Sequence, residues 1–573
     1  MEFSTLNGYK VKDKKAIRYY DTVALMKADT TLKEGMHVKT KGYYSANDGG
    51  NGEYIIVNNN ELVADNGLIH TLTNGLKARL IVSDSIIIEQ FGAYGDSTHD
   101  DRTPIINAIN TGYKIKFGKN KTYYISSYLT ITDDNIEIIG NNATLKFNGF
   151  SDSSVGNIGY LYFNGSDNVT IRDLIIDGDI TWGERPYSWE SGHSSYETNR
   201  NKTYDGICFN NCNDIYVENC QSIKCKVGFH FLYSKNATLI NCKSLNTMAD
   251  GVLIHDGSED VHIYSHYCKN VNDDQFSMVH ETNNTDYVKR CSFNNCTAED
   301  SFNACVVMQE CVDCYASNCT SINNKGTPIK FGTSLGTFGC KNCTMDSINV
   351  TSSNTLQGTN TSLATAQANG TIVLGSTSGN SPMVNCKVLN SNFIETSGNN
   401  LSLFNPNVSG LEFYNTLFDG INLIYTDVNG SKFENCTIKS KDTNVFTRCS
   451  FTFRNSSITN DLTYSARGTN TLQCNGCNNV ILDDVNVSGT STEYGNCIEF
   501  YAASSDTQNV YLNTNDKKTR LVNESDIHNN GVIILTDIDR YSYARFREGQ
   551  LVYFLSNHKL YVVGTSDWAM LNS

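Results

Sequence analysis

Through its middle, the chain repeats one pattern of polar and apolar positions. A polar turn residue precedes an apolar-x-apolar triplet, and Asn-Cys often follows a few residues on. The phrase reads Asp214-Ile215-Tyr216-Val217 with Asn219-Cys220, then Asn236-Ala237-Thr238-Leu239 with Asn241-Cys242, then Asp260-Val261-His262-Ile263 with Cys268. Later rungs carry Asn295-Cys296, Asn318-Cys319 and Asn342-Cys343, so successive cysteines lie 22, 26, 28, 23 and 24 residues apart. Short alternating runs read as half-buried strands. A period of this size built from them predicts a coiled β-solenoid, in which each coil adds core by stacking on its neighbour.

The period divides the chain into three zones. Residues 1–88 lack it. There Tyr20–Asp29 reads as a short amphipathic helix, Val38–Tyr44 as a strand and Asp48-Gly49-Gly50-Asn51-Gly52 as a hairpin turn, which together predict a small α+β module. Residues 89–510 form the solenoid. It begins at Phe91-Gly92-Ala93-Tyr94-Gly95-Asp96, and Thr103-Pro104 is expected to cap a short helix over the open end of the first coil. Asp96, Asp100 and Asp101 read as cap and turn residues. An insertion at 179–204 interrupts the coils and carries Trp182, Tyr187, Trp189, His193 and Tyr196. Its aromatic rings suit a platform for sugar rings, or equally a loop that packs on the protein itself. Residues 511–573 lose the period again. Glu548–Phe554, Lys559–Gly564 and Trp568 predict a small β-rich module.

Composition narrows the function. Only 5 prolines occur, as paired strands that need their N–H groups require, and 43 glycines serve the turns. The net charge of −15 argues against nucleic acid or an anionic membrane as partner. The sequence holds no apolar run long enough to span a membrane, and its first residues lack the pattern of a secretory signal. The expectation is synthesis in a reducing cytoplasm. The 20 cysteines fall between Cys208 and Cys497. Three CxxC pairs (Cys311/Cys314, Cys340/Cys343, Cys474/Cys477) raise zinc as one reading. Because the pairs fall where the coil period already puts cysteine, buried core thiols are the expectation, with no metal and no cofactor.

The stretch from Asp21 to Gly52, followed by Phe-Gly-Ala-Tyr-Gly-Asp, resembles the start of bacteriophage tailspike proteins with a pectin-lyase-like β-helix. The segment from Gly549-Gln550 to Trp568 is similar to the short β modules that end phage tail proteins. The resemblance implies an all-β fold, a right-handed parallel β-helix flanked by the two small modules. It further implies a homotrimer on the virion tail, joined to a tail or baseplate protein through residues 1–88, that binds or degrades a bacterial surface polysaccharide.

The candidate chemistry lies on successive coils. Asp250, in Met248-Ala249-Asp250-Gly251, and Asp274, in Asn272-Asp273-Asp274-Gln275, are 24 residues apart and should stack on one edge. Asp273 reaches solvent beside them only if the pair lies at a bend. Clustered carboxylates raise each other's proton affinity, so one can serve as acid while another activates water. The pattern is similar to that of polygalacturonase-type glycoside hydrolases. By that resemblance Asp273 is the acid, Asp250 and Asp274 hold the water, and Lys330 contacts a substrate carboxylate. The sequence departs from the family: Ala249 replaces a Thr, Pro328 replaces an Arg, and the coil that should carry Gly-His reads Asp300-Ser301-Phe302-Asn303-Ala304. Substrate contacts are also expected from Trp182, Tyr187, Trp189, Asp205, His280, Glu281, Asp300 and Asn303. Three functions stay open at this point: a hydrolytic depolymerase, a glycan-binding tail fibre without activity, and a polysaccharide lyase.

Overall fold

The computed structural model describes residues 4–6, 9–11, 17–149, 155–181, 198–282, 286–326, 328–332, 339–352, 372–373, 381–396, 401–406, 408–426, 428–440, 443–460, 471–477, 479–489, 498–501, 510–514, 520–522, 533–535, 551–554, 559–563 and 568–570. The chain divides into two compact units, one of residues 1–182, 199–230 and 234–243, the other of 183–198, 231–233 and 244–573.

The first unit opens with the α+β arrangement that the pattern predicts. Helix Val23–Ala28 starts where the Thr22 hydroxyl accepts from the Leu25 N–H at 3.2 Å. It packs beside a five-stranded sheet that includes Arg18–Tyr20, His37–Thr40, Gly52–Val57 and Lys77–Leu80. Met26, Val38, Tyr54, Ile56 and Ala78 form its core. The turn between the second and third of these strands is fixed by the Asp48 carboxylate, which accepts from the N–H groups of Tyr43, Tyr44, Ser45 and Gly50.

Parallel coils follow. Strand Ile136–Phe147 pairs with Asp167–Asp177, with a register shift between Ile139 and Ala143, and that strand pairs with Asn213–Glu218. The cap over the first coil differs from expectation at one residue. The helix runs Arg102–Ile109 with Asp101, not Thr103, at its N-cap. The Asp101 carboxylate is turned back onto the N–H groups of Tyr94 and Gly95, at 2.6 and 3.0 Å, so it fixes the preceding turn and leaves the helix end alone.

In the second unit, Val252–His255, Phe276–Val279, Val306–Gln309 and Ile329–Gly332 stack as parallel strands. Farther along, Leu401–Pro406, Ile421–Thr426, Asn444–Thr447 and Leu472–Asn475 do the same. Near the end the chain reverses: Leu551–Phe554, Lys559–Val563 and Trp568–Met570 pair antiparallel, as the pattern of the last zone predicts.

The Asn-Cys phrase has a backbone cause. Asn219, Asn241, Asn295, Asn318 and Asn342 have φ of 54°, 53°, 55°, 51° and 53°, the left-handed region that Asn tolerates better than other side-chain-bearing residues. Each turns a corner, and the residue after it points inward. Every described cysteine is buried and unbridged. The repeat read as one ladder is two. In the second unit, the Thr297 and Thr320 N–H groups donate to the carbonyls of His266 and Cys296, which makes His266, Cys296 and Cys319 one column. Cys291, Cys314, Cys343 and Cys386 form another, linked by N–H donation from Tyr315, Thr344 and Lys387. Cys268 therefore does not mark a corner: Ser265 (φ 53°) and His266 do.

Candidate active site

Asp250 and Asp274 occupy the bends that lead into Val252–His255 and Phe276–Val279, strands paired Val252 to Phe276. The Asp274 N–H donates to Asp250 Oδ1 at 3.2 Å, across a coil of 24 residues. The bend that brings Asp274 to this edge brings Asp273 as well. One carboxylate oxygen from each of Asp250, Asp273 and Asp274 lies within 4.8 Å of the others. Asp250 and Asp273 are half-buried and Asp274 is buried.

The next coil is longer, 30 residues by the hydrogen bond from Asn303 Nδ2 to Asp273 Oδ1 at 3.0 Å. The added chain lies between Phe276–Val279 and Val288–Lys289. The same bend supplies the Ala304 N–H, which donates to Asp274 Oδ1 at 3.1 Å. One coil farther, Lys330 Nζ donates to both Asp274 oxygens at 2.9 Å. Burial pushes the Asp274 carboxyl up; the Lys330 ammonium and the Ala304 N–H pull it back down, and the Asp273 charge adds to the rise. Below the bend, Gln275 Nε2 donates to the Asn303 carbonyl at 3.1 Å and steadies the loop that orients Asp273.

Of the residues expected at the site, Asp250, Asp273, Asp274, Lys330 and Asn303 come together. Lys330 reaches the group by bonding Asp274 through its ammonium. Asp300 is not part of the group. It turns a corner at φ 52° and accepts from Asn323 Nδ2 at 2.6 Å, with Lys269 Nζ at 3.5 Å. His280 and Glu281 lie at the opposite end of the same strands. His280 Nδ1 is 2.9 Å from Asp256 Oδ1, and His255 Nε2 lies 3.4 Å from Asp256 and 3.5 Å from Glu281. The His280 ring is buried and the Glu281 side chain exposed. Asp205 belongs to the first unit, is fully buried and meets His230. Trp182, Tyr187 and Trp189 lie outside the described residues. The sequence reading passed over Gln275 and the His255-Asp256 pair, which carry no motif.

No protein-family model matches the chain, and no curated protein matches it in sequence. Solved structures do match. The pre-mature gene product 12 of bacteriophage phi29 superposes with a TM-score of 0.51 at 12% identity, covering 78% of this chain and 62% of that one. An N-terminal fragment of the same phage protein gives 0.50 at 12% identity, over 78% and 82%. The fold is a right-handed parallel β-helix. A family 28 exopolygalacturonase from Yersinia enterocolitica matches more loosely, with a TM-score of 0.44 at 12% identity over 73% and 81% of the two chains. At these identities the likeness is one of fold, and the chemistry of this β-helix has to be read from its own side chains.

Proposed function

We propose that this protein is a polysaccharide depolymerase of a bacteriophage tail that cuts a bacterial surface glycan by hydrolysis. The observation that carries the reading is the trio Asp250, Asp273 and Asp274, gathered at two stacked bends and supported from two further coils. In this reading Asp273, oriented by Asn303, gives its proton to the glycosidic oxygen as the bond to the anomeric carbon breaks. Asp250 and Asp274 hold a water and take its proton as the oxygen bonds to that carbon. Burial and the neighbouring Asp273 charge raise the Asp274 carboxyl, so the group favours holding a proton, as an acid step needs. Lys330 neutralises Asp274, the most buried member, and fixes its orientation.

Lys330 also bears on the lyase alternative. A lyase needs a cation on the uronate carboxylate while a base removes the neighbouring proton. The Lys330 ammonium is engaged by Asp274, which favours hydrolysis. The tail location follows from the resemblance of Asp21–Gly52 and Gly549–Trp568 to phage tail proteins, and a match in fold to a phage protein is in keeping with it. The rest of the reading is a homotrimer attached to the particle through residues 1–88, with the solenoid facing the host glycan.

The test is product analysis on purified capsular and exopolysaccharides of candidate hosts. New reducing ends without an unsaturated-sugar chromophore support hydrolysis. The chromophore would make the protein a lyase, and binding without chain shortening would make it an adhesin.

A further inference from the structure

The first unit holds a second cluster that hydrolysis does not use. Asp205 and Cys208 belong to strand Asp205–Asn210, and His230 follows Phe229 in the next coil. The N–H groups of Gly206 and Ile207 donate to the carbonyls of Val227 and Gly228, at 2.7 and 3.2 Å, so the two segments run side by side. One donor atom from each residue (a carboxylate oxygen, a thiol sulfur and an imidazole nitrogen) lies within 4.8 Å of the other two. All three side chains are buried.

The polar accounting inside this pocket does not close. His230 Nδ1 and Asp205 Oδ2 are 2.8 Å apart. Asp205 Oδ1 is buried and, among the described residues, has no hydrogen-bond partner. An unmet buried acceptor costs about 1–3 kcal/mol, and more on a charged group. Among the described residues, Cys208 reaches only the Asn157 carbonyl, at 3.6 Å.

We propose that Asp205, Cys208 and His230 form a binding site for a divalent transition-metal ion of the zinc class. The donor set selects the ion: thiolate and imidazole disfavour calcium and magnesium, whereas zinc takes sulfur, nitrogen and oxygen together. Charge also balances. With the imidazole protonated on the carboxylate and the thiol neutral, the empty triad carries no net charge. A divalent ion on one carboxylate, one thiolate and one neutral imidazole carries none either. Binding exchanges one ion for two protons, one from the thiol and one from the imidazolium, and leaves no uncompensated charge in the dry interior. The spare oxygen of Asp205 gains a partner. Because the ligands come from adjacent coils, the ion would fasten one coil to the next. The site is independent of the hydrolytic reading.

The test uses the full-length protein, stripped with chelator and titrated with Co²⁺. The expected result is one equivalent bound, a thiolate-to-cobalt charge-transfer band, release of two protons per ion and a raised melting temperature. Cys208→Ser should lose the band and the thermal shift, and Asp205→Asn should weaken binding at least tenfold. Cys314→Ser, in the core of the second unit, should leave all of them intact. Absence of the band in the unmutated protein, its persistence in Cys208→Ser or its loss in Cys314→Ser would each overturn the assignment. If Cys208→Ser does not fold, the Asp205→Asn titration decides: unchanged affinity rejects the site.

Discussion

The stacked strands Val252–His255 and Phe276–Val279 have charged residues at both ends, and the two ends are built on opposite terms. At the start, Asp250, Asp273 and Asp274 gather, and the Lys330 ammonium bonds Asp274. At the finish, Asp256 and Glu281 alternate with His255 and His280. At the first end three carboxylates meet, and two of the three remain half-buried. At the second each carboxylate meets an imidazole, and three of the four groups are buried. Carboxylates gathered at the edge of a β-helix cost stability and suit proton transfer. Carboxylates set against imidazoles in the interior suit a joint between coils.

The strongest attack on that contrast is Asp273→Asn. Release of reducing ends should fall by about 10²–10⁴-fold, the usual weight of a general acid, while glycan binding and the melting temperature hold. Retained cleavage would leave the first end without its special status. Next comes Lys330→Met, which strands a buried carboxylate. Denaturant unfolding should show a loss of about 3–5 kcal/mol, and cleavage should drop with it. An unchanged stability would mean that Asp274 does not depend on the ammonium. At the other end, Asp256→Asn should cost about 1–3 kcal/mol in the same assay and leave cleavage per folded molecule as it was. A selective loss of activity would move the chemistry to the wrong end of the strands.

A smaller effect sharpens the role of imidazoles in the interior. His266 stands in a column with Cys296 and Cys319, and its ring nitrogen Nε2 meets the Ser244 hydroxyl at 2.9 Å. Burial pushes its pKa down to about 3. The unfolded chain takes up a proton at His266 near pH 6.5 and the folded chain does not. The stability this residue supports is therefore present above that pH and declines as the pH falls toward 3. His266→Cys, which restores the residue of its column, should flatten this acid limb in melting curves taken from pH 7 to pH 4. At pH 7 it should change stability little. An unaltered acid limb would show that the ring titrates as it does in water.

The sequence made the coil legible because Asn corners and alternating strands are local features. Asp250 over Asp274 followed from that ruler, since one coil of 24 residues separates them. What the ruler could not sort, among the expected Asp300, Asn303 and Lys330, lies where the coil changes length. The 30-residue coil shifts the register beyond it, which brings Asn303 and not Asp300 to the bend and carries Lys330 onto Asp274 from 56 residues away. The corner at Ser265-His266 stayed hidden because it is spelled without Asn or Cys. The joining of two columns into one had the same origin: Asn-Cys marks Asn318-Cys319 and Asn342-Cys343 alike, though they turn different corners.

That sameness has a consequence for folding. A chain whose corners are interchangeable can slip by a whole coil and still put Asn on Asn and thiol on thiol, at little local penalty. Features that occur once forbid the slip. If Ile329–Gly332 docked one rung out of place, the Lys330 ammonium would be buried away from Asp274, and both would be left uncompensated. The column that reads His266, Cys296, Cys319 is likewise tolerant at its thiols and particular at its imidazole. In this protein the residues that break the repeat are the ones that tell each coil which neighbour is its own.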